Sequence, residues 1–442
     1  MTWLVVVADD LTGASDAGVQ FAQRGFRTKV WLDPSAALDA LAADPNAAGA
    51  AGADVVVVDM NSRGALRDDA YARMRAFLAR LRPANARRIV KKMDSTLRGN
   101  TGAELRALQE TLPDAFAIVC PAFPAQGRTC RDGTLYVHDT AVDQTDFARD
   151  PFAPARSARV GTQLESAYAL LSLASVRAGA DALNAEIERA RARGVRIAIA
   201  DAETDDDLRA IAALGHVRDD VLWVGSAGLL GYICHPDVLS AAAEPVEGCA
   251  TQASLRQPAR AERSIVFIVG SISAMTQRQI AAFAAHAEYE TELVDPTSLL
   301  DGDDAALARS VRRASDAVAR GTDALIALDG GNVERALALG GTRGWDVHET
   351  SRRVREALVA TADGIVESGR VGCIVLSGGD VARSFCERHG IRGLELIAEA
   401  ASGIPLSRAI GANLMLVTKA GGFGHAETYH DIVTTLRTKA CT

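Results

Sequence analysis

Several familiar signatures are missing from these 442 residues. No Gly-x-x-x-x-Gly-Lys-Ser/Thr run occurs anywhere, so the chain is not a P-loop enzyme. There is no Gly-x-Ser-x-Gly elbow and no Cys/His signature for nucleophilic hydrolysis. No apolar run approaches the about 18 residues of a membrane span. The amino terminus, Met-Thr-Trp-Leu-Val-Val-Val-Ala-Asp-Asp, has no basic region ahead of its short apolar run and reads as a buried strand, not a signal peptide. Excess positive charge is missing too. The net charge is −8, which argues against a nucleic-acid groove or an anionic membrane surface, although a locally basic pocket for a small anion stays open. The seven cysteines (Cys120, Cys130, Cys234, Cys249, Cys373, Cys386, Cys441) are odd in number, and none is spaced for zinc or redox chemistry. Reduced thiols in a cytoplasmic protein are expected.

What is present is enough apolar residue, 48%, to fill two cores, and a length that favours two domains. Short Val/Ile-rich runs alternate with amphipathic stretches. In the first half, Leu4–Val7, Thr28–Leu32, Val55–Asp59, Arg88–Lys92, Phe116–Cys120, Ile197–Ala200 and Val221–Val224 read as strands. Ala14–Arg24, Asp68–Leu81, Ala103–Thr111 and Ala180–Arg193 read as helices. A second series starts at Ser264–Val269. Its strands are Glu292–Val294, Ala324–Leu328, Cys373–Leu376, Leu394–Ile397 and Leu414–Val417, and its helices lie around 274–286, 305–320, 351–368 and 381–389. The pattern predicts an α/β chain of two domains, each a mostly parallel sheet flanked by helices. The division expected is 1–245, a linker at 246–262 within the aperiodic Ala/Glu/Pro/Gln-rich stretch 239–262, and 263–442. The Ala-rich stretch 36–53 reads as a helix and a surface loop, and no strict internal repeat is found.

The chemistry-bearing motifs sit after these strands, where open α/β sheets place ligands. Asp9 and Asp10, in Ala8-Asp-Asp-Leu-Thr-Gly-Ala14, repel each other unless solvated, paired or bound. Asp10 suits a general base or Mg2+ ligand, and equally a helix N-cap. Lys91-Lys-Met-Asp-Ser-Thr-Leu-Arg-Gly-Asn100 crowds cations, an acid and hydroxyls at one strand end. Such a group can hold a carboxylate through Lys92 or Arg98 and hydroxyls through Asp94 or Ser95. It can also be a solvated turn. Arg63, after Asn61-Ser62, can join the same anion site. Pro121-Ala-Phe-Pro-Ala-Gln-Gly-Arg128 is either a pocket wall, with Arg128 inward, or a rigid connector. Val224-Gly-Ser-Ala-Gly-Leu-Leu-Gly231 is an anion turn or a close helix–strand packing.

In the second half, three turns each follow a strand and open a helix: Gly270-Ser-Ile-Ser273, Ser377-Gly-Gly-Asp380 and Lys419-Ala-Gly-Gly-Phe-Gly424. Three such turns on one sheet bring N–H groups and helix dipoles to phosphates and point to a nucleotide. Asp329-Gly-Gly-Asn332 reads as structural. His425 and His430 lie five apart, on different helix faces, and read as structural or surface residues; no metal ligands are assigned.

Taken together, in order and over almost the whole chain, these motifs resemble the four-carbon acid sugar kinases. The residues carrying the likeness are 8–14, 91–100, 121–124 with Gly127-Arg128, 225–229, 377–380 and 419–424. The resemblance implies an N-terminal sugar-acid domain, a C-terminal nucleotide domain and an active site in the cleft between them, with ATP as donor and Mg2+ as helper. It places Asp10, Arg63, Lys92, Met93, Asp94 and Ser95 at the acid sugar; the charges of Asp9 and Arg98 add them to the same expected site, where Asp10 or Asp94, Asp10 first, would orient and deprotonate the hydroxyl. Ser271, Gly378, Gly379, Asp380, Val381, Gly422, Phe423 and Gly424 would line ATP. Family members act on D-threonate, D-erythronate or 3-oxo-tetronate. Those for the oxo acid tend to carry Ser-Gly-Gly-Glu-Thr and Lys-Ser-Gly-Asn-Phe-Gly. The Ser-Gly-Gly-Asp-Val and Lys-Ala-Gly-Gly-Phe-Gly found here favour a tetronate, D-threonate first. The rivals are a sugar-acid sensor without transfer and a phosphatase or lyase. The partners expected are small molecules only, with room for a homodimer face that nothing in the sequence locates.

Overall fold

The computed structural model describes residues 2–42, 52–81, 86–150, 153–164, 166–233, 263–301 and 305–440. The chain divides into two compact units, 1–247 and 248–442. The expected linker at 246–262 and the loop part of the Ala-rich stretch, 43–51, lie outside the described residues, as do Cys234 and Cys249. Among the described residues, Cys120, Cys130, Cys373 and Cys386 are free and buried, and no helix is long and apolar enough to cross a membrane.

The first unit is built on β1 (Thr2–Ala8), β2 (Thr28–Trp31), β3 (Val55–Asp59), β4 (Ala86–Lys92) and β5 (Phe116–Cys120). A meander of β6 (Arg128–Arg131), β7 (Thr134–Val137) and β8 (Thr140–Ala141) follows. The unit ends with β9 (Ala169–Leu171), β10 (Ile197–Ala200) and β11 (Val221–Gly225). Its sheet has the order β2-β3-β1-β4-β11-β5-β10-β9, parallel throughout. The Val5-Val6-Val7-Ala8 run of β1 and all of β3 and β5 are buried, as expected for strands covered on both faces. The meander forms a separate antiparallel sheet. It and β9 escaped the sequence reading, because strands of two to four residues carry too little alternation to register.

The second unit contains β12 (Ser264–Val269), β13 (Glu290–Val294), β14 (Ala324–Leu328), β15 (Val371–Ser377), β16 (Gly393–Ala401), β17 (Ile404–Ile410) and β18 (Met415–Lys419). The order is β13-β14-β12-β15-β18-β17-β16, parallel except that β17 runs antiparallel to β16 and β18. The β16–β17 hairpin was half read. Pro405 inside β17 argues against a strand in sequence, yet Pro405 faces Glu399 next to a register shift, where a missing N–H is tolerated. The helix read at 351–368 is two helices, Val347–Ala360 and Asp363–Glu367, and a helix at Val333–Thr342 follows the Asp329 turn. One core packs Phe267, Phe283, Val375, Val417 and Tyr429.

The two units share a topology that residue identities do not reveal. The strand orders β2-β3-β1-β4 and β13-β14-β12-β15 are the same pattern, each jumping two places from its first strand, returning through the strand between, and then crossing to the other side. Each unit therefore has a switch point beside its first strand, β1 or β12, and the motifs of the sequence fall there.

Candidate functional site

In the first unit the site is assembled from the carboxyl ends of three adjacent strands, β3, β1 and β4. Asp10 ends the β1 loop and caps the helix Leu11–Ala22, accepting from Gly13 N–H at 2.8 Å and from Thr12 Oγ1 at 2.6 Å. The capping reading thus holds for Asp10. Arg63 is held by its own backbone N–H on the Asp9 carbonyl (3.1 Å). Its guanidinium donates from Nε to Asp9 (2.7 Å) and from one terminal nitrogen to Asp10 (2.6 Å). The other terminal nitrogen lies 3.1 Å from Asp9 and 3.3 Å from Asp94. Asp94 in turn takes Arg98 at 3.0 and 3.2 Å and the Thr96 hydroxyl, while Arg98 reaches Asp150 at 3.0 Å. Asn100 closes the loop by donating to the carbonyls of Ser62 and Ala65, both at 2.9 Å.

Burial disfavours the Asp94 charge, but Arg98 and Arg63 outweigh it and hold the carboxyl well below the usual range. Asp9 is lowered in the same way, against burial, by Arg63 and Lys91. Burial also opposes the charge of Arg63, and Asp10, Asp9 and Asp94 raise its pKa well above the ordinary value. The sequence reading gave Arg63 the role of holding a substrate carboxylate. In the structure three carboxylates already occupy most of its donors. Lys92 differs: its Nζ donates to the Met93 carbonyl (3.0 Å), and no carboxylate among the described residues forms an ion pair with it. Gly13 is the floor under this group. A Cβ there would meet Asp10 Oδ1 at 2.6 Å, Lys92 Nζ at 3.1 Å and an Arg63 terminal nitrogen at 3.5 Å.

Of the remaining called residues, Ser95 is buried beside Asp94, and the Met93 side chain is core, its N–H donating to the Gly225 carbonyl (2.8 Å). Leu97 has φ of 57°, a left-handed conformation uncommon for a branched side chain, in the turn that sets Thr96 and Arg98 around Asp94. Arg128 does point inward. It is 3% exposed, its pKa is pushed down to about 10 by burial against the pull of Asp94 and Asp16, and it shares the Phe147 ring with Arg98. Phe147 and Asp150 come from a distant 3-10 segment, and no local signal marks them in sequence. The Gly225–Gly231 turn is close packing: Ser226 Oγ donates to the Ala122 carbonyl (2.5 Å), and a Cβ on Gly228 would lie 2.9 Å from that oxygen. Beneath the site, Lys91 pairs with Glu104 at 2.9 Å with both side chains buried, and Ser62 donates to the same carboxylate.

In the second unit the three glycine turns follow β12, β15 and β18, which are neighbours, and they interlock. Gly270 N–H donates to the Ser377 carbonyl (3.1 Å) and Gly378 N–H to that of Lys419 (2.9 Å). Ser273 and Thr276 hydroxyls both donate to the Gly421 carbonyl at 3.0 Å. A Cβ on Gly421 would sit 2.1 Å from Ser271 Oγ, and Gly378, at φ of 111°, needs its glycine for backbone reasons. Ser271, Gly378 to Val381 and Gly422 to Gly424 therefore lie along three adjacent strand ends, each opening a helix. Asp380 is two-thirds exposed and 3.8 Å from Arg355. Phe423 is buried, its carbonyl accepting from Gln279 at 2.9 Å. Under the turns, Lys419 is fully buried. Its Nζ donates to the carbonyls of Ala420 (3.0 Å) and Gly421 (3.2 Å) and lies 5.7 Å from the Tyr429 ring centre. Burial pushes its pKa down to about 7.

Comparison with known proteins agrees with this division. A sugar-binding N-terminal domain matches residues 4–233, and a nucleotide-binding C-terminal domain matches 266–429. The chain is 34% identical to a D-threonate kinase of Bordetella bronchiseptica over 96% of its length and 95% of the relative's. It is 32% identical to a 3-oxo-tetronate kinase of Methylobacterium radiotolerans over 96% of each. The fold matches a Salmonella typhimurium structure described as a putative tRNA synthase, with a TM-score of 0.73 at 21% identity over 98% of both chains. The chain belongs to the four-carbon acid sugar kinase family, a family of carbohydrate kinases.

Two predictions come from the buried charges. Glu104→Gln leaves Lys91 without its counter-charge and is expected to lower unfolding free energy by about 3 kcal/mol in denaturant melts. A Lys91→Met, Glu104→Leu double variant should recover most of that loss. For Lys419 the folded pKa of about 7 lies below the ordinary 10.5, so between those values the unfolded chain binds the extra proton and stability rises with pH. Lys419→Met removes that slope. The stability of wild type relative to the variant should therefore grow from pH 6 to pH 9 in parallel denaturant titrations. A flat or inverted difference would contradict a depressed lysine.

Proposed function

We propose that the protein transfers the γ-phosphoryl group of ATP to the terminal C4 hydroxyl of a four-carbon acid sugar, with D-threonate as first choice. The observation that carries this reading is the pairing, in one chain, of two different strand-end sites: a carboxylate–guanidinium cluster with a spare lysine, and three interlocked glycine turns. The first suits a small hydroxy acid. The second suits a phosphate chain, because N–H groups and helix N-termini converge where side chains are excluded.

Lys92 is the group for the substrate carboxylate, being a cation of the cluster with no carboxylate ion pair among the described residues, and this selects acids over neutral sugars. Arg63 serves as the bracket that fixes Asp9, Asp10 and Asp94 in place. Asp94 is a poor base, since Arg98 and Arg63 stabilise its charged form. Asp10 is the better candidate to orient the hydroxyl and take its proton. Its Oδ1 lies on the Gly13 side, where Lys92 Nζ also approaches. The turns at 270–273, 377–381 and 419–424 hold the nucleotide, the tight Gly421–Ser271 approach letting two of the turns come close together. Mg2+, when bound with ATP, supplies charge neutralisation at the phosphates. The substrate order rests on the Asp380-Val381 and Ala420-to-Gly422 departures from the oxo-acid pattern and on the relative named for D-threonate.

The test is Mg2+-dependent ADP release with D-threonate, D-erythronate, their stereoisomers and 3-oxo-tetronate. Turnover on D-threonate exceeding the others by tenfold or more in kcat/KM is expected. ATP binding without release on any four-carbon acid would overturn the reading. Asp10→Asn should lower kcat by about 100-fold or more while ATP binding by calorimetry stays intact. Near-normal turnover would remove Asp10 from the role of base.

A further inference from the structure

The three glycine turns of the second unit meet around one side chain, Ser271, and both neighbouring turns make room for it. A Cβ on Gly421 would lie 2.1 Å from its Oγ, and one on Gly378 would lie 3.5 Å from its backbone nitrogen. Ser273 caps the helix Ala274–Ala284, accepting from Thr276 N–H at 3.2 Å. Thr276 is fully buried, whereas Ser271 and Ser273 are half-buried. Thr276 Oγ1 stands 2.9 Å from Ser271 Oγ, and 3.0 Å from both Ser273 Oγ and the Gly421 carbonyl. Residues far apart in sequence thus share one small hydroxyl cluster, and Thr276 is its innermost member.

We propose that Ser271 donates a hydrogen bond to a phosphate oxygen of the nucleotide, and that Thr276 is the positioning residue that turns its hydroxyl outward. This rests on the reading of the turns as the ATP site. The Gly421 carbonyl has two lone pairs and three donors in reach: Ser273 Oγ at 3.0 Å, Thr276 Oγ1 at 3.0 Å and Lys419 Nζ at 3.2 Å. Lys419 is fully buried and takes its acceptors from backbone carbonyls. The Ser273 oxygen is occupied by the helix cap, and its proton goes to the same carbonyl. Thr276 has one proton. With the carbonyl filled, that proton goes to Ser271 Oγ, its nearest acceptor. Ser271 then accepts from the inside. Among the described residues its own proton is left with Ser273 Oγ at 3.4 Å, long for an O–H···O bond. A hydroxyl so placed offers its proton to an anion, and a bond to a charged oxygen is stronger than the one it gives up. It adds one directed side-chain donor where backbone N–H groups and a helix start gather.

The same arrangement gives position 421 a reason to be glycine, because any side chain there would displace the Ser271 hydroxyl. Gln279, one turn beyond Thr276 on the same helix, donates to the carbonyls of Phe423 (2.9 Å) and His425 (3.0 Å). One helix face therefore holds the third turn at two points, and the first of them also aims Ser271.

The test is a double-variant cycle on ATP affinity, read by calorimetry on the full-length protein without acid sugar. Ser271→Ala should weaken ATP binding about tenfold, the loss of one hydrogen bond to a charged group. Thr276→Val, which keeps the outline of the side chain, should weaken it about fivefold, and Thr276→Ser should restore it to within about twofold of wild type. On the Ser271→Ala background, Thr276→Val should weaken binding by less than about twofold more, because no hydroxyl is left to orient. A merely structural role for Thr276 predicts that the two losses multiply. Undiminished ATP binding by Thr276→Val, or multiplying losses in the double variant, would overturn the proposal while leaving the nucleotide reading in place. Failure of the wild type to bind ATP at all would overturn both.

Discussion

Arg63 shared among three carboxylates is the contact on which the first unit's site depends. Asp9 and Asp10 are neighbours on the chain and cannot both sit ionised at a strand end without a cation between them. Asp94 arrives from the next strand and is equally costly alone. One guanidinium, with donors spread in a planar fork, meets all three at 2.6 to 3.3 Å. A lysine, with its charge at a point, has no such fork. The interaction therefore fixes more than charge. It ties the loops after β1, β3 and β4 together, and Arg98, Thr96 and Asn100 take their places from that arrangement.

The strand order explains why these loops are neighbours at all. In both units the chain jumps two places from the first strand, returns through the strand between and then crosses to the other side, so the first strand keeps a parallel neighbour on each flank whose carboxyl end faces the same way. Loops leaving such a point diverge and open a crevice. The same topology used twice yields two sites of different chemistry, because charged side chains fill the loops of one unit and glycines those of the other.

Much of this was legible from residues alone. The long Val/Ile strands, the helices between them and the motif after each strand all registered, since fully buried parallel strands leave continuous apolar runs and sites follow their ends. What was illegible is equally specific. The β6–β8 meander is too short to show a period. Arg63 was read as a substrate ligand, because sequence gives its proximity to a site but not how many carboxylates already hold it. Phe147 and Asp150 bear on Arg98 and Arg128 from a segment without regular pattern. Lys419 reads in sequence as a polar start to a glycine turn, and only its burial, with backbone carbonyls as its hydrogen-bond acceptors, sets it apart.

Lys419 and Arg63 also show two opposite ways of placing positive charge near an anion site. Arg63 is matched by carboxylates of the protein itself, so its position is fixed before any ligand arrives and its charge is largely neutralised. Lys419 is buried without a carboxylate partner among the described residues, and its proton is weakly held for that reason. A phosphate chain over the 419–424 turn would bring the negative charge that Lys419 lacks and draw its pKa upward. On the kinase reading, then, the acceptor site is organised before the substrate binds, whereas the donor site completes its charge balance only with the nucleotide. That asymmetry suits an enzyme whose acceptor carries a single carboxylate and whose donor carries several phosphate charges. A carboxylate–guanidinium cluster fixed by its own ion pairs, with Lys92 outside those pairs, matches the former, and a desolvated lysine beneath the glycine turns matches the latter.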